Sequence, residues 1–497
     1  LVVHPGIVGD RGPSALDWAI LNGEQSWGVT VLQANAEMDA GDIWASCEFD
    51  MRAAGKGSLY RNEITEAACK AVLQSIDHFQ QAAYRPRALD YSDPEVRGVL
   101  RPLAKQPDRA IDWQLDDSES VLRKIRSADG VPGVADSLLG RRLYLYDAHP
   151  EHTLRGEAGE LIARCGTAVC RATRDGAVWI GQLRDRQAVP PIKLPATHVL
   201  GDAVSHLPEV EAGPGTGYRD IWYEQQGGVG YLHFPFYNGA MGTQQCCRLL
   251  EAYRDACQRD TRVIVLMGGP DFWSNGMHLN LIEAAESAAD ESWNNINAID
   301  DLALQIINTP RQLTVSALQG NAGAGGVFLA RAADRVWARS GIVLNPHYKD
   351  MGNLYGSEYW SYQLPRYAGD DNAAHIAQAR LPMGTREGAE LGLLDEVFAG
   401  GQQSFVDTVR RQAAELADGP RLDALIEEKQ RVRQRDEARK PLQQYREQEL
   451  EKMHLNFYGF DPSYHVARYN FVYKVPKSRT PLTIARHRRR ERVALGS

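Results

Sequence analysis

The spacing of apolar residues divides the chain into segments of different period. Trp27-Gly-Val-Thr-Val-Leu32 alternates as a strand does. Residues 57–84 instead read as one long amphipathic helix, with Leu59, Ile64, Ala68, Val72, Ile76 and Phe79 on one side. Short apolar runs follow at Arg142-Leu-Tyr-Leu-Tyr146, Glu160-Leu-Ile-Ala163 and Ala177-Val-Trp-Ile180, and their spacing predicts a small β-barrel. Beyond the Gly/Pro-rich stretch Glu211-Ala-Gly-Pro-Gly-Thr-Gly217 the pattern alternates between strand and helix. Val229-Gly-Tyr-Leu-His-Phe234 and Arg262-Val-Ile-Val-Leu-Met267 are strands, with a helix from Thr243 to Asp260 between them. From about Ser404 the chain is rich in Glu, Gln, Arg and Lys at helical spacing. It reads as long surface helices broken at Pro441 and at Tyr458-Gly-Phe-Asp-Pro462. The expected fold class is therefore multidomain α/β in four regions: 1–94, 95–205, 218–400 and 401–497.

Composition narrows the function. A chain of 497 residues is too long for a single core. A net charge of -8 argues against nucleic-acid binding, and the basic run from Arg486 to Arg492 reads as a solvated terminus. Seven scattered cysteines, an odd number without recurring CxxC pairs, suit a reducing compartment and suggest no metal site. No apolar run is long enough to span a bilayer and no signal peptide is visible, so a cytoplasmic, non-membrane protein is expected. The chain opens at Leu1 without an initiator Met, and further sequence is expected to precede it.

Two constellations carry chemistry. In the first, His4-Pro-Gly6 precedes the loop Gly9-Asp-Arg-Gly-Pro13, and Glu37-Met-Asp-Ala-Gly-Asp42 follows. A His and an Asp on adjoining loops can move a proton during acyl transfer, although a lone His beside an X-Pro turn is as readily structural. The order Val3-His-Pro-Gly6, Arg11-Gly-Pro13, Trp18-Ala-Ile-Leu-Asn-Gly-Glu24, Gly28-Val-Thr30 and Met38-Asp-Ala-Gly-Asp-Ile43 resembles the second half of formyltransferase domains that use 10-formyltetrahydrofolate. That resemblance implies catalytic roles for His4 and Asp39. It also marks a departure, since Val2 stands where the family places an Asn, and the preceding nucleotide-fold half is absent. Arg109-Ala-Ile-Asp-Trp113, Lys124-Ile-Arg126, Pro132-Gly133 and Gly156 resemble the C-terminal barrel of the same family, with Trp113 and Arg126 read as a packing aromatic and a surface charge.

In the second, two turns can present backbone N–H groups to a thioester oxygen, each such donor contributing about 3 kcal/mol to a developing oxyanion. They are Phe272-Trp-Ser-Asn-Gly-Met-His-Leu279, after a buried strand, and Gln319-Gly-Asn-Ala-Gly-Ala-Gly-Gly326, before a helix. Together they resemble the crotonase (enoyl-CoA hydratase/isomerase) superfamily over 228–400. The resemblance implies coenzyme A as ligand, the N–H groups of Asn275 and Gly325 as oxyanion donors, and Gly276 and Gly326 beside the ligand. Hydratases place two Glu side chains around a water. Those positions fall on Phe328 and about His347, so hydration is not expected. The segment from Pro346 to Trp360 offers Tyr348, Tyr355 and Glu358 instead. The tyrosines and Trp360 serve equally well as packing aromatics, and propensity alone makes Glu358 a solvated helix residue.

A formyltransferase-like half before a crotonase-like half resembles the HypX (HoxX) family of hydrogenase maturation factors. Asn238-Gly-Ala-Met241, Gly352-Asn-Leu-Tyr-Gly-Ser-Glu-Tyr-Trp360 and Asn456-Phe-Tyr-Gly459 extend that resemblance over the whole chain. It implies production of carbon monoxide for the [NiFe] centre. A formyl group would pass from 10-formyltetrahydrofolate to CoA, and formyl-CoA would then split, with Glu358 as base and Tyr348 as its partner or the acid toward sulfur. Hydrogenase maturation proteins are the implied partners. A hydrolase or isomerase of a larger acyl-CoA, or a non-catalytic maturation scaffold, remain the alternatives.

Overall fold

A computed structural model describes residues 1–210 and 217–476, which form two compact units divided between Arg219 and Asp220. The Gly/Pro stretch over 211–216 and the basic run over 486–492 lie outside the described residues. The boundaries expected near 94 and 400 both fall inside a unit.

In the first unit, strands Val2–His4, Ser26–Leu32 and Ile43–Asp50 form an antiparallel sheet with Ser26–Leu32 at its centre. Leu16, Ala19 and Ile20 of helix Ala15–Asn22 pack with Trp27 and Val29 beneath it. The helix expected over 57–84 is broken by a π-turn at Tyr60–Ile64 before Thr65–Gln80. An i→i+5 turn adds a residue to the turn and rotates everything after it. Past Ile64 the buried face runs through Ala67, Ala71 and Ser75, one position before the expected Ala68, Val72 and Ile76, while Ile76 and Phe79 are exposed. Further along, strands Val134–Leu138, Arg141–Glu151, Leu161–Cys165, Ala168–Ala172, Ala177–Asp185 and Lys193–Pro195 form one antiparallel sheet. Its ladder stays open between Val134–Leu138 and Leu161–Cys165 among the described residues. Trp113 is buried as expected and donates its Nε1–H to Asp136 at 3.1 Å, whereas Arg126 is half-buried rather than a free surface charge.

The second unit has two sheets. The larger takes strands Trp222–Gln226, Val229–Phe234, Val263–Gly268, Leu313–Leu318, Arg335–Arg339 and Glu396–Phe398 in that spatial order, parallel except for the first. The smaller sheet collects the short strands Phe272–Ser274, Asn321–Gly323 and Val343–Asn345, each just past the end of a strand of the larger sheet, together with Met383–Gly384 after helix Asp370–Ala379. Helices Thr243–Gln258, Ala288–Ile307 and Gly325–Arg331 cover one face through a core that includes Leu249, Tyr253, Ile299, Leu302 and Phe328. Helix Gln402–Ala417 covers the other with Phe405, Val409 and Ala413 against Val265, Met267 and Trp337. Of the surface helices expected past 401, Leu422–Arg439 buries Leu422 alone, whereas Gln402–Ala417 and Leu442–Tyr458 pack into the core. Leu450, Met453 and Phe457 of helix Leu442–Tyr458 are buried against Ile296, Leu354 and Tyr464. The expected breaks at Pro441 and Tyr458 do separate Leu422–Arg439, Leu442–Tyr458 and Ser463–Val472.

Candidate active site

Strand Phe272–Ser274 ends in a turn through Asn275 and Gly276, the latter with φ 71°. The Asn275 N–H donates to the Gly239 carbonyl at 2.7 Å, and its Nδ2 donates to the Asn238 carbonyl at 2.8 Å. Its amide is therefore taken up by the Asn238-Gly-Ala-Met241 segment and does not supply the oxyanion donor read from the sequence. Two residues on, Met277 lies in a parallel bridge with Met241. Met241 N–H donates to the Gly276 carbonyl at 2.9 Å and His278 N–H to the Met241 carbonyl at 3.2 Å. The Met277 amide therefore points to the opposite side and has no partner among the described residues. Across from it, Gly325 is the first residue of helix Gly325–Arg331, and its N–H is likewise unpartnered among the described residues. The two loops meet closely: a Cβ on Gly276 would lie 3.4 Å from Gly325 N and 3.7 Å from Gly326 N. The free amide pair is Met277 with Gly325.

Glu358 closes this site. It is 1% exposed, which rules out the solvated helix residue that propensity suggested. A Cβ on Gly325 would lie 2.0 Å from its Oε1, so only glycine lets the carboxyl approach this close. Oε1 carries no hydrogen bond among the described residues, while Oε2 accepts from Tyr348 Oη–H at 2.5 Å and from Ser357 N–H at 3.2 Å. Tyr348 also stacks on Phe328, with ring centroids 5.5 Å apart and planes 22° apart. At Gly356, φ is 89° and a Cβ would lie 2.0 Å from the Tyr348 ring. Tyr355 and Trp360 are packing aromatics, 5.4 Å apart, and Asn456 Oδ1 accepts from the Tyr355 N–H at 3.0 Å. Neither expected hydratase position carries a carboxylate. Phe328 is buried in the core, and His347 is buried with Nδ1 unpartnered, its pKa pushed down by that burial.

Sequence reasoning missed two acids here. Asp300 Oδ1 accepts from the Glu358 N–H at 2.8 Å, and its Oδ2 accepts from Ser357 Oγ–H at 2.7 Å. Glu449 accepts from the N–H groups of Tyr359 at 2.9 Å and Ser361 at 2.8 Å, capping helix Trp360–Ala368. Between them Glu358 and Tyr359 are held at φ 61° and 59°, a left-handed pair without glycine. Burial first, then the charge of Asp300, push Glu358 and Glu449 up to about 8, and burial pushes Asp300 itself up to about 6. Both missed acids were legible in part. Asp300 sits at helical spacing from Ile296 and Ala303, and Glu449 from Leu442 and Met453, so each lies on an apolar face where a charge is out of place. A cavity of about 190 Å³ elsewhere in this unit includes neither amide nor Glu358. Its cations are ion-paired, Arg331 with Asp395 at 2.7 Å and Lys429 with Asp334 at 2.6 Å, and it reads as the fastening of helix Leu422–Arg439.

In the first unit, His4 is 4% exposed and lies between two carboxylates. Its Nε2 is 2.8 Å from Asp10 Oδ1 and its Nδ1 is 3.5 Å from Asp39 Oδ2. Asp39, at φ 53°, also accepts from the Gly12 N–H at 3.2 Å. The predicted pair is thus brought together, with Asp10 as a third member that the sequence reading did not single out. Val2 is 40% exposed and offers no side-chain hydrogen bond.

Comparison with known proteins bears on both units. Residues 104–191 match the formyl transferase C-terminal domain and residues 229–461 match enoyl-CoA hydratase/isomerase. The hydrogenase maturation factor HoxX of Bradyrhizobium diazoefficiens is 57% identical over 98% of this chain and 85% of its own length. The chain belongs to the HoxX/HypX family of hydrogenase maturation factors. A crystal structure of HypX from Aquifex aeolicus in complex with tetrahydrofolic acid superposes with a TM-score of 0.92 at 47% identity, covering 98% of this chain and 86% of that one. The methionyl-tRNA formyltransferase of Thermotoga neapolitana is 26% identical over 40% of this chain and 59% of its own length. The formyltransferase-like and crotonase-like domains expected from the motifs are those of the family, and among the described residues no helix is long and apolar enough to cross a membrane.

Proposed function

We propose that this maturation factor makes carbon monoxide for the [NiFe] centre by passing a formyl group from 10-formyltetrahydrofolate to CoA and splitting the resulting formyl-CoA. The observation that carries this reading is the Glu358 carboxyl, with Oε1 unbonded among the described residues and close against Gly325, whose N–H and that of Met277 are unpartnered, in a site without the two hydratase glutamates.

The residues suit each substrate. The amide pair fits a thioester oxygen, polarises the formyl carbonyl and acidifies its C–H bond. Ionised Glu358 takes the formyl hydrogen as a proton. The electron pair of the C–H bond remains on carbon as C–S cleavage releases CO, and the C–S pair leaves on sulfur. The proton then passes to the thiolate from Glu358 or through Tyr348, so formyl-CoA gives CO and CoA with no oxidant or reductant. Phe328, at one of the two positions where a hydratase carries a glutamate, stacks on Tyr348 and offers no base for water. At the other site His4, oriented by Asp10 and Asp39, takes the thiol proton as CoA attacks the formyl carbon and returns it to the departing folate nitrogen. Folate binding by the Aquifex relative supports this donor. Without an Asn at position 2, polarisation of the formyl oxygen falls to other groups.

The test is formyl-CoA turnover by Glu358→Gln and Tyr348→Phe. Glu358→Gln is expected to lose about a hundredfold or more, the usual contribution of a positioned base. Wild-type rates in both variants would sink the assignment.

A further inference from the structure

The decarbonylation reading rests on Glu358 alone as base, yet the strained turn that carries Glu358 is held by a residue 58 positions earlier. We propose that Asp300 is the positioning residue for this base, pinning the Glu358 backbone and its neighbour Ser357 while facing the base with its own negative charge. The proposal deepens the reading of Glu358 given above and rests on it.

Three observations carry it. Asp300 is fully buried on helix Ala288–Ile307, and its two oxygens accept from the two residues that set the direction of Glu358: the Glu358 N–H at 2.8 Å and Ser357 Oγ–H at 2.7 Å. The backbone it holds is left-handed at Glu358 and Tyr359, a conformation unfavourable for non-glycine residues that persists only where partners impose it. The nearest cation compensates weakly: Arg446 Nε is 4.0 Å from Asp300 Oδ2, while that guanidinium binds Asp301 at 2.6 Å. A carboxylate kept buried at such a site is therefore explained by what it holds and by its field on Glu358. The groups that face Glu358 from the packed elements are Asp300 of helix Ala288–Ile307, Glu449 of helix Leu442–Tyr458, Tyr348 of the preceding loop and Cys246 of helix Thr243–Gln258, while Asp301 and Arg446 face Asp300. Asp300 is the largest charge influence among them. Its removal lowers the proton affinity of Glu358 because like charges oppose each other's ionisation.

The experiment is an infrared titration of the buried carboxyl band in the full chain, with the Glu358→Gln spectrum subtracted to isolate Glu358, run alongside the pH profile of formyl-CoA turnover. Asp300→Asn keeps the acceptor for the Glu358 N–H and removes the charge. It is expected to move both the Glu358 band and the turnover profile about one pH unit toward acid. Asp300→Ser also removes the charge and serves if Asp300→Asn does not fold, while Glu449→Gln, which leaves Asp300 intact, is expected to move both by less in the same direction. An unmoved Glu358 band in a folded Asp300 variant overturns the proposal. A moved band with full turnover in Glu358→Gln keeps Asp300 as the tuner of Glu358 and removes Glu358 as the base, so the two failures are distinct.

Discussion

At the scale of single residues, the surroundings of Glu358 oppose its ionisation, and the base proposed at this position would be a strong one. With its pKa pushed to about 8 by burial and by Asp300, turnover is expected to rise with pH through about 8 as the carboxylate forms. The Tyr348 hydroxyl works the other way, since its hydrogen bond favours the carboxylate. Tyr348→Phe is therefore expected to displace the profile toward alkali as well as lower the rate, and a kinetic pH series checks both. Motif reading singled out Glu358, Tyr348 and Gly325 because each sits in a short segment with a marked composition, and the fold brings the three side by side. It placed the other donor at Asn275 because a motif gives an order of residue types and not the direction of a peptide plane. The Gly239 carbonyl that occupies the Asn275 amide is 36 positions away in sequence, and only the fold brings it there.

At the scale of elements, the site is assembled where the Gly325–Arg331 helix start, the Phe272–Ser274 turn and the 346–359 loop converge. Gly325→Ala would force its Cβ into the Glu358 carboxyl. We expect a folded protein by circular dichroism that has lost nearly all turnover. The helix Leu442–Tyr458 contributes through Glu449, whose carboxyl satisfies the buried amides of Tyr359 and Ser361. Glu449→Ala leaves those donors without a partner, at a cost of about 3 kcal/mol read from urea unfolding. Composition hid this helix: its charged residues are real, and burial of Leu450, Met453 and Phe457 on one face makes it part of the core nonetheless. The buried face of helix Thr65–Gln80 was hidden for a different reason: it is lined by the small residues Ala67, Ala71 and Ser75, which give a weaker apolar signal than the exposed Leu73, Ile76 and Phe79. The strand–helix alternation of the second unit was legible because its buried parallel strands are continuous apolar runs.

At the scale of the whole molecule, three buried carboxyls tie stability to pH. Unfolded carboxyls titrate near about 4, whereas the folded chain holds protons on Asp300 up to about 6 and on Glu358 and Glu449 up to about 8. The folded state binds more protons across that interval, so their stabilisation is complete below about pH 4 and is lost as pH rises through 8. The denaturant midpoint is expected to fall from pH 5 to pH 8 by this term, and Glu358→Gln with Glu449→Gln is expected to flatten the slope. The two chemical halves should also separate by mutation. His4→Ala is expected to abolish CO formation from 10-formyltetrahydrofolate and CoA while leaving the breakdown of supplied formyl-CoA intact. The most direct measurement of the central claim gives the purified chain isotopically labelled formyl-CoA and follows labelled CO in the headspace together with free CoA thiol. The account predicts CO and thiol in equal amounts, with both lost in Glu358→Gln. Labelled formate without CO, or undiminished CO from Glu358→Gln, would contradict it.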